Sequence, residues 1–509
     1  MAKNRVRPWV KIVGIVAVVA GIGIGLTQLS KNGSGEKTNL NLFGSKTGKN
    51  DVVTLAVNTY AGFTPIIEGN GGLEGNENSP FFKKFGVKLK ILSQDDFLAG
   101  RNAFKNGDVQ LIYCTTDVRP TELGNSSDMV GSKQVMILNY SRGADALVVR
   151  KGINTVADLK GKKVAVAVST ASHTLLLNIL ETNGLTQNDI QLIKVESGLE
   201  AAQIFKALQV DAACVWAPDD ADILAAMPGT KVLFSTKEAA NLITDGLIVK
   251  DDYLEKNYDK VKNIVEAILW ANSELNNSEA KVEAAAKIAG KAFGTDEDFV
   301  ISGCGNIRFA TLEDNANFFG LNASYTGTTG DQIYSKMARV YEQLSLTNKP
   351  IGWRKASDTH ILEDLLANNK LDNDQTAEKA KTFDAPSREI AGKEAVSNKI
   401  VIIEFASNSA LLDADAKAII DSEIAPIAKQ FSGARIRIQG NTDNTGSAEV
   451  NKPLSLKRAQ AMADYLIKEY AFDRNRFIVV GNGSEKAIKA GSTGADKSFR
   501  ITEFQLISE

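Results

Sequence analysis

The sequence predicts an α/β protein in three parts: one membrane-spanning helix, a long α/β section, and a small α+β domain. Three observations carry that reading. An apolar run opens the chain, short apolar runs alternate with amphipathic segments through the middle, and a polar stretch sets off a last group of strands and helices. At 509 residues the chain exceeds what one core supports. Its formal net charge of −2 leaves no broad field to attract nucleic acid, so any basic function must be local.

The opening segment carries Lys3, Arg5 and Arg7 before "KIVGIVAVVAGIGIGLTQL", a run near the length that spans a bilayer. Positive charge ahead of the run puts the amino terminus in the cytoplasm and the remainder across the inner membrane, in the periplasm. A cleaved signal peptide is the competing reading; no cleavage site or lipobox cysteine is evident, which favours an anchor. Ile12 to Leu26 holds no ionisable residue, so the span anchors rather than conducts protons. Residues 1–30 are assigned to the cytoplasmic terminus and anchor, and 31–50, rich in Gly, Ser and Asn, to a flexible linker.

Ordered sequence begins at Asp51. The candidate strands are "DVVTLAV", "VKLKIL", "VQLIYC", "ALVVR", "KVAVAV", "IQLIKV", "DAACVW" and "KVLF". Amphipathic segments such as "HTLLLNILETNGL" and "LEAAQIFKAL" lie between them, an alternation that implies largely parallel sheet. This section runs 51–367, a polar linker 368–398 follows, and 399–509 forms the last domain. Cys114, Cys214 and Cys304 stand far apart; Cys114 and Cys214 end apolar runs, reading as buried thiols. His173 and His360 have no metal-ligand spacing, so neither a metal nor another cofactor is expected.

The order of "SPFFKKFGVKLKIL", "GADALVVRKGINTVADLKGKKVAVAVSTASHTLLLNILETNGL", "VDAACVWAP" and "DGLIVKDDYLEKNYDKVKNIVEA" resembles solute-binding proteins of ABC transporters, in their nitrate/sulfonate/taurine branch. The resemblance implies a two-lobed periplasmic-binding-protein fold closing on a small ligand, with lobe II at about 147–243 between crossovers at "ALVVR" and "GLIVK". Ligands in open α/β sheets sit beyond the carboxyl ends of strands. Ser169, Thr170 and Ser172 stand where a strand turns into a helix, either as ordinary caps or as an anion site; the resemblance aligns them with the family's anion-holding turn. His173, in the first helical turn, reads as a neutral wall residue. Thr59, Tyr60, Thr115, Thr116, Asp117, Trp216 and Asp245 are the other candidate cleft residues. Trp216 suits a cleft wall or a core equally. Asp117 and Asp245, if both face inward, imply a zwitterionic rather than a purely anionic ligand; crossover hydrogen bonding is the alternative.

An enzymatic relative of this fold, the thiamine-pyrimidine synthase branch, depends on a His/Cys-rich iron site that has no counterpart here. No G-x-S-x-G elbow occurs either, so no catalysis is expected.

The last domain, with "GNTDNTG" followed by "NKPLSLKRA", resembles the OmpA-like peptidoglycan-binding domain. The resemblance implies that Asp443 takes the ammonium, and Arg458 the carboxylate, of diaminopimelate in a wall stem peptide. Thr442, Asn451 and Leu454 fall on pocket positions, and Arg500 on the final motif, which reads "GADKSFR". Asn441 and Ser498 depart from the family's His and Asn. A local Asp443–Arg458 salt bridge is the alternative. The whole reads as a membrane-anchored periplasmic solute-binding protein attached to peptidoglycan, with an inner-membrane transporter or sensor as its partner. The alternative is a structural wall-tethering subunit whose middle fold is only a spacer or protein-interaction module.

Overall fold

The computed structural model describes residues 52–368, 371–406 and 408–508. The expected membrane span and first linker lie outside the described residues. Among the described residues, no helix is long and apolar enough to cross a membrane.

Lobe I begins with β1 (Val53–Val57), β2 (Leu89–Ser93), β3 (Leu111–Thr115) and β4 (Ser132–Ser141). Lobe II holds β5 (Asp145–Val149), β6 (Lys163–Ala167), β7 (Gln191–Val195), β8 (Ala212–Trp216) and β9 (Lys231–Ser235). The chain then returns to lobe I as β10 (Thr244–Lys250) and β11 (Ile307–Phe309). The lobe I sheet runs β11-β4-β10-β3-β1-β2 and the lobe II sheet β7-β6-β8-β5-β9. β1 lies parallel to β2 and β3, and β6 parallel to β7 and β8. β10 runs antiparallel between β3 and β4.

Most of these strands read as unbroken apolar runs because helices cover both faces of each sheet. β4 was not among the candidate strands; its Gln134, Asn139 and flanking serines mask an otherwise apolar "VMIL". Among the described residues, two segments join the lobes: one from β4 to β5, the other from β9 to β10.

The last domain folds β12 (Ser397–Val401), β13 (Arg435–Asn441), β14 (Phe477–Gly483) and β15 (Thr502–Ile507) into a sheet of order β12-β15-β13-β14. The helix Ala448–Tyr470 crosses between the parallel pair β13 and β14, burying Ala459, Met462, Ala463 and Leu466. A Cβ at Gly440 would collide with the Ser455 carbonyl, so glycine sets how closely this helix lies on the sheet.

This domain shares one apolar core with lobe II. The Phe234 and Phe431 rings meet edge to face at 5.5 Å. Val156 N–H donates to the Val396 carbonyl at 2.8 Å, and Gly433 N–H to the Glu238 carbonyl at 3.0 Å. The helix Gly330–Gln343 adds a third contact. Its Lys336 ammonium donates to Glu181 and Asn178 of lobe II, each at 2.6 Å, and to Gln430 of the last domain at 3.0 Å.

Described residues of the connecting segment contact both flanking domains. Asp372 accepts from Lys84 at 2.6 Å and from the Trp270 indole at 3.1 Å. Farther on, Phe383 lies under the guanidinium of Arg435 at 5.2 Å.

Candidate functional site

The two lobes enclose a cavity of about 420 Å³. Seven expected residues line it: Thr59, Tyr60, Thr115, Ser169, Thr170, Trp216 and Asp245. Thr116, Asp117, Ser172 and His173 are buried outside its lining. Thr116 is occupied by Gln134 and the Thr244 hydroxyl, at 2.9 and 3.0 Å. His173 lies behind the turn, its Nδ1 accepting from Ser169 N–H at 3.4 Å and its Nε2 3.2 Å from Gln187. Burial pushes the His173 imidazole down to about 4, so it is neutral.

The turn after β6 is built unusually. Ser169 takes a left-handed φ of +60°, a conformation a non-glycine residue holds only when its surroundings impose it. Thr170 spends its hydroxyl on the Ala167 carbonyl at 2.7 Å, leaving the helix Ala171–Glu181 without a side-chain cap. The buried Ser172 hydroxyl has no partner. The helix start therefore keeps donors uncommitted beside the cavity. Trp216 packs its ring where a side chain on Gly198 would stand, and forms part of the wall.

Further lining residues carried no local sequence signal: Asp145, Arg101, Glu122 and Tyr113. Arg101 is the only basic side chain among the described lining residues, and Glu122 pairs with it at 2.7 Å. Asp145 opens β5 just past one crossing, and Asp245 lies at the start of β10 just past the other. Burial pushes both carboxyls up to about 7; Ser141 opposes this at Asp145, while the Asp145 charge adds to it at Asp245. Burial also lifts Asp117 to about 6. The cavity is thus acidic, and its only described cation is already matched.

In the last domain, the loop after β13 and the helix Ala448–Tyr470 bring Thr442, Asp443, Asn451, Leu454 and Arg458 onto one region, with Arg500 across from them. The local Asp443–Arg458 ion pair is not formed. Asp443 pairs instead with Arg500 at 2.6 Å, and Arg458 donates to the Ser409 carbonyl at 2.9 Å while stacking over Phe405 at 4.9 Å. Asn451 donates to the Thr445 carbonyl at 3.0 Å, closing the loop onto the helix. The Thr442 hydroxyl is buried without a partner, and Leu454 is half-buried. Asn441 donates to Glu503 at 2.9 Å and accepts from Asn482 at 3.0 Å, a structural role beneath the loop.

Comparison with known proteins separates the same two parts. Residues 77–277 match the NMT1/THI5-like family and residues 404–500 the OmpA family. A protein of Brucella abortus named as a binding protein is 27% identical over 160 residues, 31% of this chain and 50% of that one. The taurine-binding periplasmic protein of Escherichia coli is 27% identical over 206 residues, 38% of this chain and 59% of its own. The peptidoglycan-binding protein ArfA of Mycobacterium bovis is 36% identical over 102 residues, 19% of this chain and 30% of its own. The chain spans about half the length of the first of these and less than two thirds of the others. It joins an NMT1/THI5-like region to a carboxy-terminal OmpA-family region.

Proposed function

We propose that this protein is a solute receptor of the bacterial envelope, held to peptidoglycan by its OmpA-family domain and anchored in the inner membrane by its first segment. The observation that carries the reading is the cavity between two lobes joined by two crossings, lined by polar strand ends and an uncapped helix start. Closure of the lobes would be a population shift, driven by tighter binding of ligand to the closed form. A ligand acid group would sit at the turn of Ser169, Thr170 and Ala171, which line the cavity at the uncapped helix start, with the buried Ser172 hydroxyl behind them. The names of the taurine-binding and peptidoglycan-binding relatives support a small sulfonate-like or zwitterionic solute and a wall partner. The role is binding rather than catalysis, and closure would be read by a transporter or sensor in the membrane.

Thermal melting of the full chain against sulfonates, amino acids and simple anions tests the receptor half. A true ligand at a hundred times its Kd adds about 2.7 kcal/mol. No shift across the panel would favour the structural alternative, in which the middle fold is a spacer in a wall-linked complex. Because the last domain shares its core with lobe II, the full chain rather than the isolated domain is the reagent for wall binding.

A further inference from the structure

We infer that the cleft seats its ligand by a protonated amine, held between Asp145 and Asp245 where the chain crosses between the lobes; this rests on the cleft being a solute site. The two carboxylates belong to different crossings, so a group bound to both ties the two segments whose movement opens and closes the lobes. Asp145 is oriented by that architecture. Its Oδ2 accepts from the Ser141 hydroxyl at 2.8 Å, and Ser141 lies 2.7 Å from the Thr236 hydroxyl just beyond β9. Asp245 stands in register with Asn139 on β4 and Thr115 on β3.

Asp145 and Asp245 are 6% and 7% exposed, yet neither forms an ion pair among the described residues. A buried carboxylate without a cation is costly, and an arriving ammonium removes that cost. A second, independent feature points the same way. The Tyr113 phenol lines this cavity, is 7% exposed, and its oxygen has no hydrogen-bond partner. Tyr60, Trp216 and Phe299 add aromatic wall that suits an organic cation, whereas Phe97 and Tyr113 already carry the Arg101 guanidinium over their rings at 5.7 and 5.5 Å. A purely anionic solute would instead meet Asp145, Asp245 and Glu122, with Arg101 already paired. Among the described residues, no three His, Cys, Asp or Glu side chains converge as a metal site, which favours an amine over a metal ion.

The test is calorimetric titration of the full chain with matched probes that differ in an amine: taurine against ethanesulfonate, γ-aminobutyrate against butyrate, and putrescine against butanediol. At least one amine is expected to bind, about tenfold or more tighter than its amine-free partner. Asp145→Asn with Asp245→Asn should erase that preference, and Tyr113→Phe should preserve folding while weakening it. Equal binding of the paired probes, or a preference unchanged in the double variant, would overturn the amine site while leaving the cleft a solute site. No binding of any probe to the wild-type chain would count against both.

Discussion

Arg500 grips Asp443 twice through one oxygen: its Nε lies 2.7 Å and its Nη2 2.6 Å from Oδ2. Arg458, on the neighbouring helix, turns its guanidinium to the carbonyls of Ala406 and Ser409. A diaminopimelate ammonium arriving at Asp443 must share or displace Arg500, while its carboxylate finds two guanidinia nearby. Asp443→Ala and Arg458→Ala are each expected to weaken co-sedimentation with diaminopimelate-type sacculi about tenfold. Arg500→Ala should cost less, because it also frees the Asp443 carboxylate for the ligand. Undiminished sedimentation of the Asp443→Ala, Arg458→Ala double variant would refute the clamp.

The carboxyls at the crossings make stability depend on pH. Asp145 and Asp245 titrate near 7 in the folded chain against an ordinary 3.8, so between these values the folded form holds extra protons. Their contribution to stability is therefore greatest in acid, falls as pH rises from about 4 to 7, and is fully lost above that. The groups facing the carboxyls are Ser141, Asp117 and Tyr60 at Asp145, and Asp145, Asp117, Asn139, Tyr60 and Tyr113 at Asp245, none of them a cation. The Asp145→Asn, Asp245→Asn variant is expected to gain stability over wild type in urea melts as pH moves from about 5 to about 8. Parallel pH profiles for the two proteins would contradict this.

Ser172 separates a binding role from a structural one. Its buried hydroxyl bonds to nothing in the free protein, so Ser172→Ala should leave the unliganded melting point unchanged or slightly raised. If the turn receives a ligand acid group, the same variant should reduce the ligand-induced shift for sulfonate or carboxylate probes. A full shift in Ser172→Ala would remove this hydroxyl from the binding site.

Phe431 joins the last domain to lobe II. Phe431→Ala is expected to cost about 3–5 kcal/mol in urea unfolding. A double-mutant cycle with Phe234→Ala should return a coupling of about 0.5–1.5 kcal/mol. Additive losses would mean that the ring contact does not tie the domains together.

Most strands of both lobes were legible because strands buried on two faces leave unbroken apolar runs, as in "KVAVAV" and "DAACVW". The expected largely parallel sheet was not found: β10, β4 and β11 in lobe I and β5 and β9 in lobe II pair antiparallel. β4 escaped because polar residues serving the crossings interrupt it. In the cleft, the turn at Ser169 and the wall residue Trp216 announced themselves at strand ends. Asp145 did not: within "GADALVV" it is an ordinary strand-leading residue, and only the crossing of two chain segments buries it beside Asp245. Asp443 and Arg458 were recognisable from the resemblance of "GNTDNTG" and "NKPLSLKRA" to the OmpA-like motif, but their partners were not. Arg500 is 57 positions from Asp443, and Ser409 is 49 from Arg458, so tertiary packing decides both pairings. The seam between the last domain and lobe II had no sequence signal either, since Phe234 and Phe431 read as core residues of separate domains.

One measurement joins both halves of the proposal: pelleting of a labelled amine probe, the tightest binder in titration, with diaminopimelate-type sacculi. The expected result is that the probe pellets only with the wild-type chain present. It should stay in the supernatant with either the Asp145→Asn, Asp245→Asn variant or the Asp443→Ala, Arg458→Ala variant. A probe left in the supernatant by the wild-type chain, or pelleted equally by both variants, would contradict a wall-held solute receptor of this design.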